Sequence, residues 1–265
     1  MSIYVCGDIH GDIDSIRNIM AKIDNPTKDD FIIVCGDAGF EYEDYIMGNA
    51  KKVASQFPGT WIVLRGNHDS RYWDKHTNIE NWNQLIDDKF IVQDGWEIVD
   101  DDYFFLRQKK YPNIWYVLDA GGIVHLGKYN FLFLPGAYSV DKWYRLRNDY
   151  PWNPKEQLTE EERNELYDIV KNWVAYGWSI DFVIGHTFPR KLEPELCYLF
   201  MGGIDQSQVD KTTEDWLDTV SEIYEQSPTF KQYFGGHYHD DKQLNDKYTM
   251  LYHTVVNLAD YEEEN

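Results

Sequence analysis

Short apolar runs along this chain repeatedly end in glycine followed by a polar residue that can bind a metal. The five runs and their polar ends are Ile3–Cys6 before Gly7-Asp8, Phe31–Cys35 before Gly36-Asp37, Trp61–Arg65 before Gly66-Asn67-His68, Phe182–Ile184 before Gly185-His186, and Tyr233–Gly235 before Gly236-His237. Continuous apolar runs of this length suit strands that are buried on both faces. The pattern therefore predicts five buried strands with polar residues at their carboxyl ends.

Two helix-like stretches, Asp12–Ile23 and Tyr42–Phe57, separate the first three runs. Alternation of strand and helix is typical of βαβ units and a parallel sheet. In such sheets, ligands bind outside the carboxyl ends of the strands. We therefore expect the polar residues that follow the five runs to gather along one edge.

The rest of the chain predicts elements that are less regular. They are an irregular or helical excursion over 70–112, antiparallel strands at Trp115–Leu118, Ile123–Leu126 and Tyr129–Leu134, a loop over 136–154, helices from Thr159 to about Ala175 and over Thr212–Glu225, and a last strand at Thr249–Asn257. The start at Thr159 is a capping box with Glu162. A chain of 265 residues fits one domain. We predict a single domain over 1–265 with cap or insert segments around 70–112 and 136–157.

Charge and composition narrow the classes of function. The net charge is −21, from 46 acidic and 25 basic residues, which argues against long nucleic acid as a partner. An anionic small molecule stays open, because metal ions can supply local positive charge. The chain shows no apolar run of about 20 residues, no signal-peptide pattern at Met1 and only three scattered cysteines. We expect a cytoplasmic protein without membrane segments, and the sequence leaves the oligomeric state open.

The polar strand ends offer carboxylate, amide and imidazole donors but no thiolate. This set suits Mn, Fe, Zn, Co or Ni. Asp8 and His10 are two residues apart, so both can point the same way in extended chain, and His237 and His239 repeat this spacing. Asp37, on the adjacent strand, can bridge two ions about 3.5–4 Å apart, and such a pair generates hydroxide near neutral pH and holds the oxygens of a phosphate ester.

The ordered set of motifs resembles that of the calcineurin-like metallophosphoesterase superfamily. The motifs are Asp8-x-His10, Gly36-Asp37, Gly66-Asn67-His68-Asp69, Gly185-His186 and Gly236-His237-x-His239. Each is weak alone, but they occur in the family's order and cover residues 8–239. The resemblance implies an α/β fold, a four-layer α/β/β/α sandwich with two mixed β-sheets.

The resemblance also implies roles for individual residues. One divalent ion should be held by Asp8, His10 and His239, a second by Asn67, His186 and His237, with Asp37 bridging. Manganese is the first expectation, with Fe, Zn, Co and Ni as alternatives. His68 should stay off the metals and assist the leaving oxygen, and we place Asp69 beside it as a catalytic partner. The implied activity is hydrolysis of a phosphomonoester or phosphodiester by metal-bound hydroxide.

One departure from the family concerns its serine/threonine protein phosphatase branch. There the bridging Asp is followed three residues on by a second Asp and then an Arg, whereas this chain has Phe40 and Glu41. The acidic partner of the catalytic His and a phosphate-gripping Arg are therefore missing, which counts against a protein phosphatase. A catalytically silent binding scaffold is the alternative of another class, but the full set of motif residues counts against it.

The segment after the predicted strand Tyr129–Leu134 supplies candidate substrate contacts. Arginine grips phosphate with paired donors, and tryptophan can stack on a base or aryl group. We therefore expect Arg145 and Arg147, with Trp143 or Trp152, to contact a small phosphorylated substrate. The alternative is a surface loop that packs its aromatic side chains on the body of the protein.

Overall fold

In the computed structural model, the apolar runs of the sequence form strands of two separate β-sheets. The structure describes residues 1–41, 47–70, 95–99, 104–118, 120–196 and 206–262. The strands are β1 (Ile3–Cys6), β2 (Phe31–Val34), β3 (Thr60–Val63), β4 (Trp96–Ile98), β5 (Phe105–Gln108), β6 (Ile114–Val117), β7 (Gly122–Leu126), β8 (Tyr129–Leu134), β9 (Phe182–Gly185), β10 (Gln232–Gly235), β11 (Lys242–Asn245), β12 (Tyr248–Met250) and β13 (Val255–Asn257).

The helices begin close to the residues that the sequence signals. They are α1 (Ile13–Ala21), α2 (Met47–Ala54), α3 (Lys142–Arg147), α4 (Glu160–Ala175), α5 (Glu193–Leu196) and α6 (Thr212–Tyr224), with 3-10 turns at Arg190–Leu192, Gln206–Gln208 and Leu258–Tyr261. The predicted capping box is confirmed, because Thr159 Oγ1 accepts from Glu162 N at 3.2 Å and Glu162 Oε2 accepts from Thr159 N at 2.8 Å. Of the helix predicted at 42–57, residues 42–46 lie outside the described residues. No helix in the described ranges has both the length and the apolar character needed to cross a membrane.

Each sheet has a parallel centre and antiparallel edges. The seven-stranded sheet has the order β13-β1-β2-β3-β6-β5-β4, and β1, β2, β3 and β6 are parallel. The six-stranded sheet has the order β11-β12-β10-β9-β8-β7, and β12, β10, β9 and β8 are parallel. The predicted parallel arrangement is confirmed, and both sheets are mixed.

The two sheets pack face to face and carry helices on their outer faces. Alternate residues of a strand point to opposite faces. Ile33 of β2 therefore packs between the sheets with Phe182 and Phe234, whereas Ile32 packs outward with Ile16 of α1. On the other side, α4 and α6 cover the second sheet. These layers confirm the predicted four-layer α/β/β/α sandwich, and they explain why the strands are apolar on both faces.

Three predictions about the middle of the chain are wrong. The run Trp115–Leu118 contributes β6, which lies in the large sheet between β3, to which it is parallel, and β5, to which it is antiparallel. Of the three predicted runs, only β7 and β8 therefore pair with each other. The described end of the 70–112 segment forms β4 and β5 of the large sheet rather than an irregular or helical excursion, and its residues 71–94 and 100–103 lie outside the described residues. The predicted loop over 136–154 contains the helix α3.

The predicted last strand, Thr249–Asn257, is two strands in different sheets. β12 pairs with β10 in the small sheet, and β13 pairs with β1 in the large one. The chain crosses between the sheets through 251–254, where the Asp241 carboxylate accepts from the backbone N–H groups of Tyr252, His253 and Thr254. Because this carboxylate satisfies three consecutive backbone donors, the segment does not continue the β ladder.

Candidate metal centre

The polar residues that follow the buried strands meet at one edge of the sandwich. The strands β1, β2 and β3 of one sheet and β9 and β10 of the other end there. The side chains that they bring together are Asp8, His10, Asp37, Asn67, His186, His237 and His239. The predicted gathering at one edge is confirmed in its geometry.

The first group in this cluster consists of Asp8, His10 and His239. Their ligand atoms all lie within 4.8 Å of one another. The Nε2 atoms of His10 and His239 are 2.8 Å apart, and Asp8 Oδ2 lies 3.6 Å and 3.3 Å from them, respectively. Three donors of this kind, aimed at a common point, can hold a cation.

The second group is built around the amide oxygen of Asn67. Asn67 Oδ1 lies 2.7 Å from His186 Nε2 and 3.0 Å from His237 Nδ1, and Asp37 Oδ2 lies 3.5 Å from His186 Nε2. The imidazole of His186 is buried and donates its Nδ1–H to the Cys35 carbonyl at 2.8 Å. Metal-binding histidines usually make such a bond, because it directs the other ring nitrogen to the ion.

The two carboxylates are held in the same way. Asp8 Oδ1 accepts from the backbone N–H of His237, and Asp37 Oδ1 accepts from that of His68, both at 2.9 Å. Each carboxylate therefore turns its second oxygen inward. Asp8 Oδ2 is buried and accepts no hydrogen bond from the described residues. An anionic oxygen buried in this way is costly unless a positive charge compensates it, so the cluster fits a bound cation.

The charges within the cluster act strongly on one another. Although burial opposes it, the Asp37 carboxylate raises the pKa of His186 to about 9, and His186 in turn holds the pKa of Asp37 below its ordinary value, again against burial. Burial lowers the pKa of His237 well below its ordinary value. Contact with the Asp8 carboxylate raises the pKa of His239. The raised pKa values of His186 and His239 indicate that the carboxylates of Asp37 and Asp8 stabilise a positive charge beside them.

The backbone is strained where it presents these side chains. Among the described non-glycine residues with positive φ are His10 (52°), Asp37 (49°), His237 (69°) and His239 (54°). Non-glycine residues rarely adopt this conformation, and in folded proteins it concentrates at functional sites. The strain therefore falls on four residues of the cluster.

Two glycines give the carboxylates the space that they need. A Cβ at Gly66 would lie 2.2 Å from Asp37 Oδ1, and a Cβ at Gly236 would lie 1.9 Å from Asp8 Oδ1. Any side chain at either position would displace a carboxylate, so the Gly-polar pattern of the sequence has a steric reason at this edge.

A cavity of about 710 Å³ opens over the cluster. Its walls include His68, Arg145 and Trp152. Arg145 Nη2 lies 3.4 Å from His68 Nε2, and because a guanidinium only donates, His68 Nε2 accepts here and Nδ1 carries the proton. Burial lowers the pKa of His68, opposed by Asp37 and assisted by Arg145. The imidazole and the guanidinium therefore face the same space above the cluster.

The other two predicted substrate contacts do not line this cavity. Trp143 is 51% exposed, and Arg147 is exposed as well. Both residues lie on α3 together with Arg145, and residues two apart on a helix point in different directions. The prediction treated the segment as a loop, in which all these side chains could reach the site.

Further wall residues escaped the sequence analysis. They are Ser70, Ser139, Asp141, Pro151, Asn153, Pro154 and Lys155. Their residue types are common in surface loops, and no motif or spacing marks them. Only the path of the segment 136–157 over the cluster brings most of them to the cavity.

The carboxylate of Asp69, predicted as a catalytic partner of His68, lies on backbone N–H groups. Asp69 is buried, and its carboxylate accepts from the backbone N–H groups of Gly66 at 3.0 Å and Gly39 at 3.4 Å. It thus fastens the loops that follow β2 and β3 to each other, and it does not line the cavity. Residues that are adjacent in the sequence can point their side chains in different directions.

The departure at Phe40 and Glu41 is a structural feature of the core. Phe40 packs edge-on against Trp61. Glu41 is buried in an ion pair with Lys51, 2.6 Å away, and accepts from the Tyr116 hydroxyl at 2.9 Å. Neither residue lines the cavity. The Glu41 carboxylate is therefore engaged with Lys51 and Tyr116 in the core.

Comparison with known proteins identifies one family. The family described as calcineurin-like phosphoesterase matches residues 1–241. No curated protein sequence matches the chain.

Three solved structures are among those similar to this chain. The protein of unknown function AQ665 from Aquifex aeolicus has 15% identity and a TM-score of 0.33, with 70% of this chain and 77% of that chain covered. The phosphopantetheinyl hydrolase PptH from Mycobacterium tuberculosis has 13% identity and a TM-score of 0.43, with 95% and 88% covered. The protein TT1561 of Thermus thermophilus has 9% identity and a TM-score of 0.48, with 98% and 96% covered.

Proposed function

The chain belongs to the calcineurin-like phosphoesterase family, and from this membership we propose that it is a phosphoric ester hydrolase that uses two divalent metal ions. The observation that carries the proposal is the buried Asp8 Oδ2, which lacks a hydrogen-bond donor in a cluster of converging ligand atoms. A cation at this point would satisfy the oxygen.

Seven side chains are proposed to hold the ions. One ion takes Asp8, His10 and His239, the other takes Asn67, His186 and His237, and Asp37 lies between them. Carboxylate, amide and imidazole donors suit manganese, our first choice, and also Fe, Zn, Co or Ni. When bound, the ions supply Lewis acidity and lower the pKa of water.

The charge balance favours a small substrate. Two divalent ions against the carboxylates of Asp8 and Asp37 leave the centre at about +2, which matches a phosphate ester. The chain as a whole carries −21, so a long polyanion would be repelled away from the centre. We therefore propose a small phosphomonoester or phosphodiester rather than long nucleic acid.

The cavity walls give the remaining roles. We assign to His68 assistance to the leaving oxygen, as general acid or by stabilising its charge through the ring nitrogen that carries hydrogen, because its imidazole lines the cavity beside the cluster. Arg145 can bind the phosphate oxygens, since its guanidinium faces His68 Nε2 at 3.4 Å. Trp152 forms part of the wall that the leaving group would contact.

The proposal is tested with two chromogenic substrates, an aryl phosphate and a bis-aryl phosphate, in the presence of Mn²⁺. We expect the wild type to hydrolyse at least one of them, and His68→Ala to lower kcat by about 10²–10⁴-fold. The matched control is His125→Ala, which removes an exposed imidazole that contacts Asn130 on β8. This control should keep wild-type kcat.

Three results would contradict the proposal. If the wild type with two bound Mn²⁺ ions hydrolysed neither ester, the catalytically silent scaffold would be favoured. Equal rates for wild type and His68→Ala would remove the role of His68. Activity on phosphopeptides that exceeds activity on both small esters would favour the protein phosphatase, which the core position of Glu41 counts against.

A further inference from the structure

The amide of Asn67 must be oriented correctly before it can bind a metal. An amide has an oxygen at one end and an NH₂ group at the other, and only the oxygen is a ligand. In this structure, Oδ1 faces His186 and His237, at 2.7 Å and 3.0 Å, respectively. The Nδ2 group points away from the cluster and donates to Ser139 Oγ at 2.8 Å.

The hydroxyl of Ser139 is itself oriented by a carboxylate. Ser139 Oγ donates its single proton to Glu156 Oε2 at 2.5 Å, and the backbone N–H of Ser139 donates to Glu156 Oε1 at 3.0 Å. Because the proton goes to Glu156, an oxygen lone pair remains for Asn67 Nδ2. All three side chains belong to buried residues, between 1% and 3% exposed.

We propose that Ser139 is a positioning residue, directed by Glu156, that fixes the amide of Asn67 with its oxygen towards the metal. The proposal rests on the proposed function, in which Asn67 holds one of the two ions. The direction of each bond in the chain follows from the carboxylate at its end, whose two oxygens both accept, from Ser139 N and Oγ and from Trp152 Nε1. If the group at position 156 donated a hydrogen bond to Ser139 Oγ instead of accepting one, the amide of Asn67 would turn over.

The same carboxylate anchors the wall of the cavity. Trp152 Nε1 donates to Glu156 Oε2 at 2.8 Å, and Trp152 lines the cavity. Glu156 thus connects a wall residue to a metal-binding residue through buried hydrogen bonds. A purely structural role would be to hold the segment 136–157 in place, and this role predicts a loss of thermal stability without a specific loss of one ion.

The experiment measures Mn²⁺ binding by calorimetry, with the electron paramagnetic resonance spectrum as a second readout. The wild type should bind two ions with the spectrum of a coupled pair. Ser139→Ala should lower the affinity for one of the two ions by about 10–100-fold and give the spectrum of isolated Mn²⁺. Ser227→Ala is the matched control, because Ser227 is buried and its hydroxyl bonds to the backbone of Ile180, outside the cavity, and it should bind as the wild type does.

A second variant guards against a folding defect in Ser139→Ala. Glu156→Gln keeps the size of the side chain, and its carbonyl oxygen should stay on the backbone N–H of Ser139, which cannot move. Its NH₂ group then takes the place of Oε2, loses the bond from the rotatable side chain of Trp152, faces Ser139 Oγ, turns the hydroxyl proton towards Asn67 and favours the inverted amide. We expect the same loss of one ion. Melting of the metal-free variants by circular dichroism reports their folding.

Replacement of Asn67 distinguishes orientation from general damage. A carboxylate presents an oxygen at both ends, so Asn67→Asp in the Ser139→Ala or Glu156→Gln background should restore binding of two ions. The gain in affinity from Asn67→Asp should be at least about tenfold larger there than in the wild-type background, as measured by a double-mutant cycle.

The outcomes separate this inference from the proposed function. The positioning role would be overturned, while the metal centre stands, if both Ser139→Ala and Glu156→Gln bound two ions with wild-type affinity. It would also be overturned if Asn67→Asp gave no larger gain in Mn²⁺ affinity in these backgrounds than in the wild type. A wild type that binds no Mn²⁺ would overturn both.

Discussion

A methyl group at position 236 is expected to disrupt the metal centre. The Cβ of Gly236→Ala would lie 1.9 Å from Asp8 Oδ1, whereas an ordinary contact begins at 3.4 Å, so the atoms must separate by about 1.5 Å. Asp8 cannot move this far and keep its 2.9 Å bond from the backbone N–H of His237. The methyl group therefore displaces either the carboxylate or the loop that carries His237.

Either displacement removes a ligand from its position. A misplacement of about 1 Å can cost about 10²-fold, so we expect Mn²⁺ affinity at the site of Asp8, His10 and His239 to fall by at least about 100-fold. This loss corresponds to about 2.7 kcal/mol of binding free energy. Activity on the chromogenic esters should fall with it.

The assay is calorimetric titration of Mn²⁺ into Gly236→Ala, with Gly95→Ala as the matched control. Gly95 has φ +79°, and a Cβ there meets no atom of the described residues within 4 Å, so this control costs backbone strain of about 1–3 kcal/mol without approaching the described cluster residues. Affinity in Gly236→Ala within threefold of the wild type, in a folded protein, would refute the steric reasoning.

Three further predictions follow from other contacts. Arg145→Ala should lower kcat/KM by about 10–100-fold through lost charged hydrogen bonds, whereas Arg147→Ala, outside the cavity, should stay within about twofold in the same assay. Burial raises the pKa of Glu214 from 4.5 to about 7, so stability present below pH 4.5 should fall by about 3 kcal/mol as the pH rises to 7. Urea unfolding of metal-free Glu214→Gln, which stays neutral, should lack this loss. Asp69→Asn should lower the unfolding free energy by about 1–3 kcal/mol, because its NH₂ group would face a backbone N–H, and an unchanged melting temperature would contradict that.

The edge that carries the proposed metal centre could be predicted from the sequence. Uninterrupted apolar runs indicate strands buried on both faces, and glycine followed by a polar residue marks their carboxyl ends. Asp8, Asp37 and His186 come together because parallel strands end at the same edge. These residues are marked by local sequence patterns, and the rule that parallel strands end at one edge holds for any such sheet. No tertiary contact therefore had to be known to predict this part of the site.

The wall of the cavity could not be predicted in the same way. Ser139 contacts Asn67, which is 72 positions away, and Glu156, which is 17 positions away, and no periodicity records such pairs. The short helix α3 begins after Asp141, a preferred N-cap residue type, but one such residue in a polar segment marks a helix start only weakly, and its side chain forms no cap bond. Missing that helix placed Arg147 and Trp143 with Arg145, although a helical backbone separates them.

The segments that cross between the sheets were a second source of error. β6 and β7 are neighbours in the sequence and lie in different sheets, as do β12 and β13. A strand with two apolar faces fits either sheet equally well, so its own residues do not assign it. Contacts distant in sequence decide the sheet, such as the carboxylate of Asp241 on the backbone of 252–254.

The central claim is that seven side chains hold two metal ions at the edge where the strands end. Anomalous diffraction from crystals grown with Mn²⁺ tests it most directly. The account predicts two peaks, one beside Asp8, His10 and His239 and one beside Asn67, His186 and His237, with Asp37 contacting both. Well-ordered side chains at these positions without any peak between them, or peaks only elsewhere on the protein, would contradict the account.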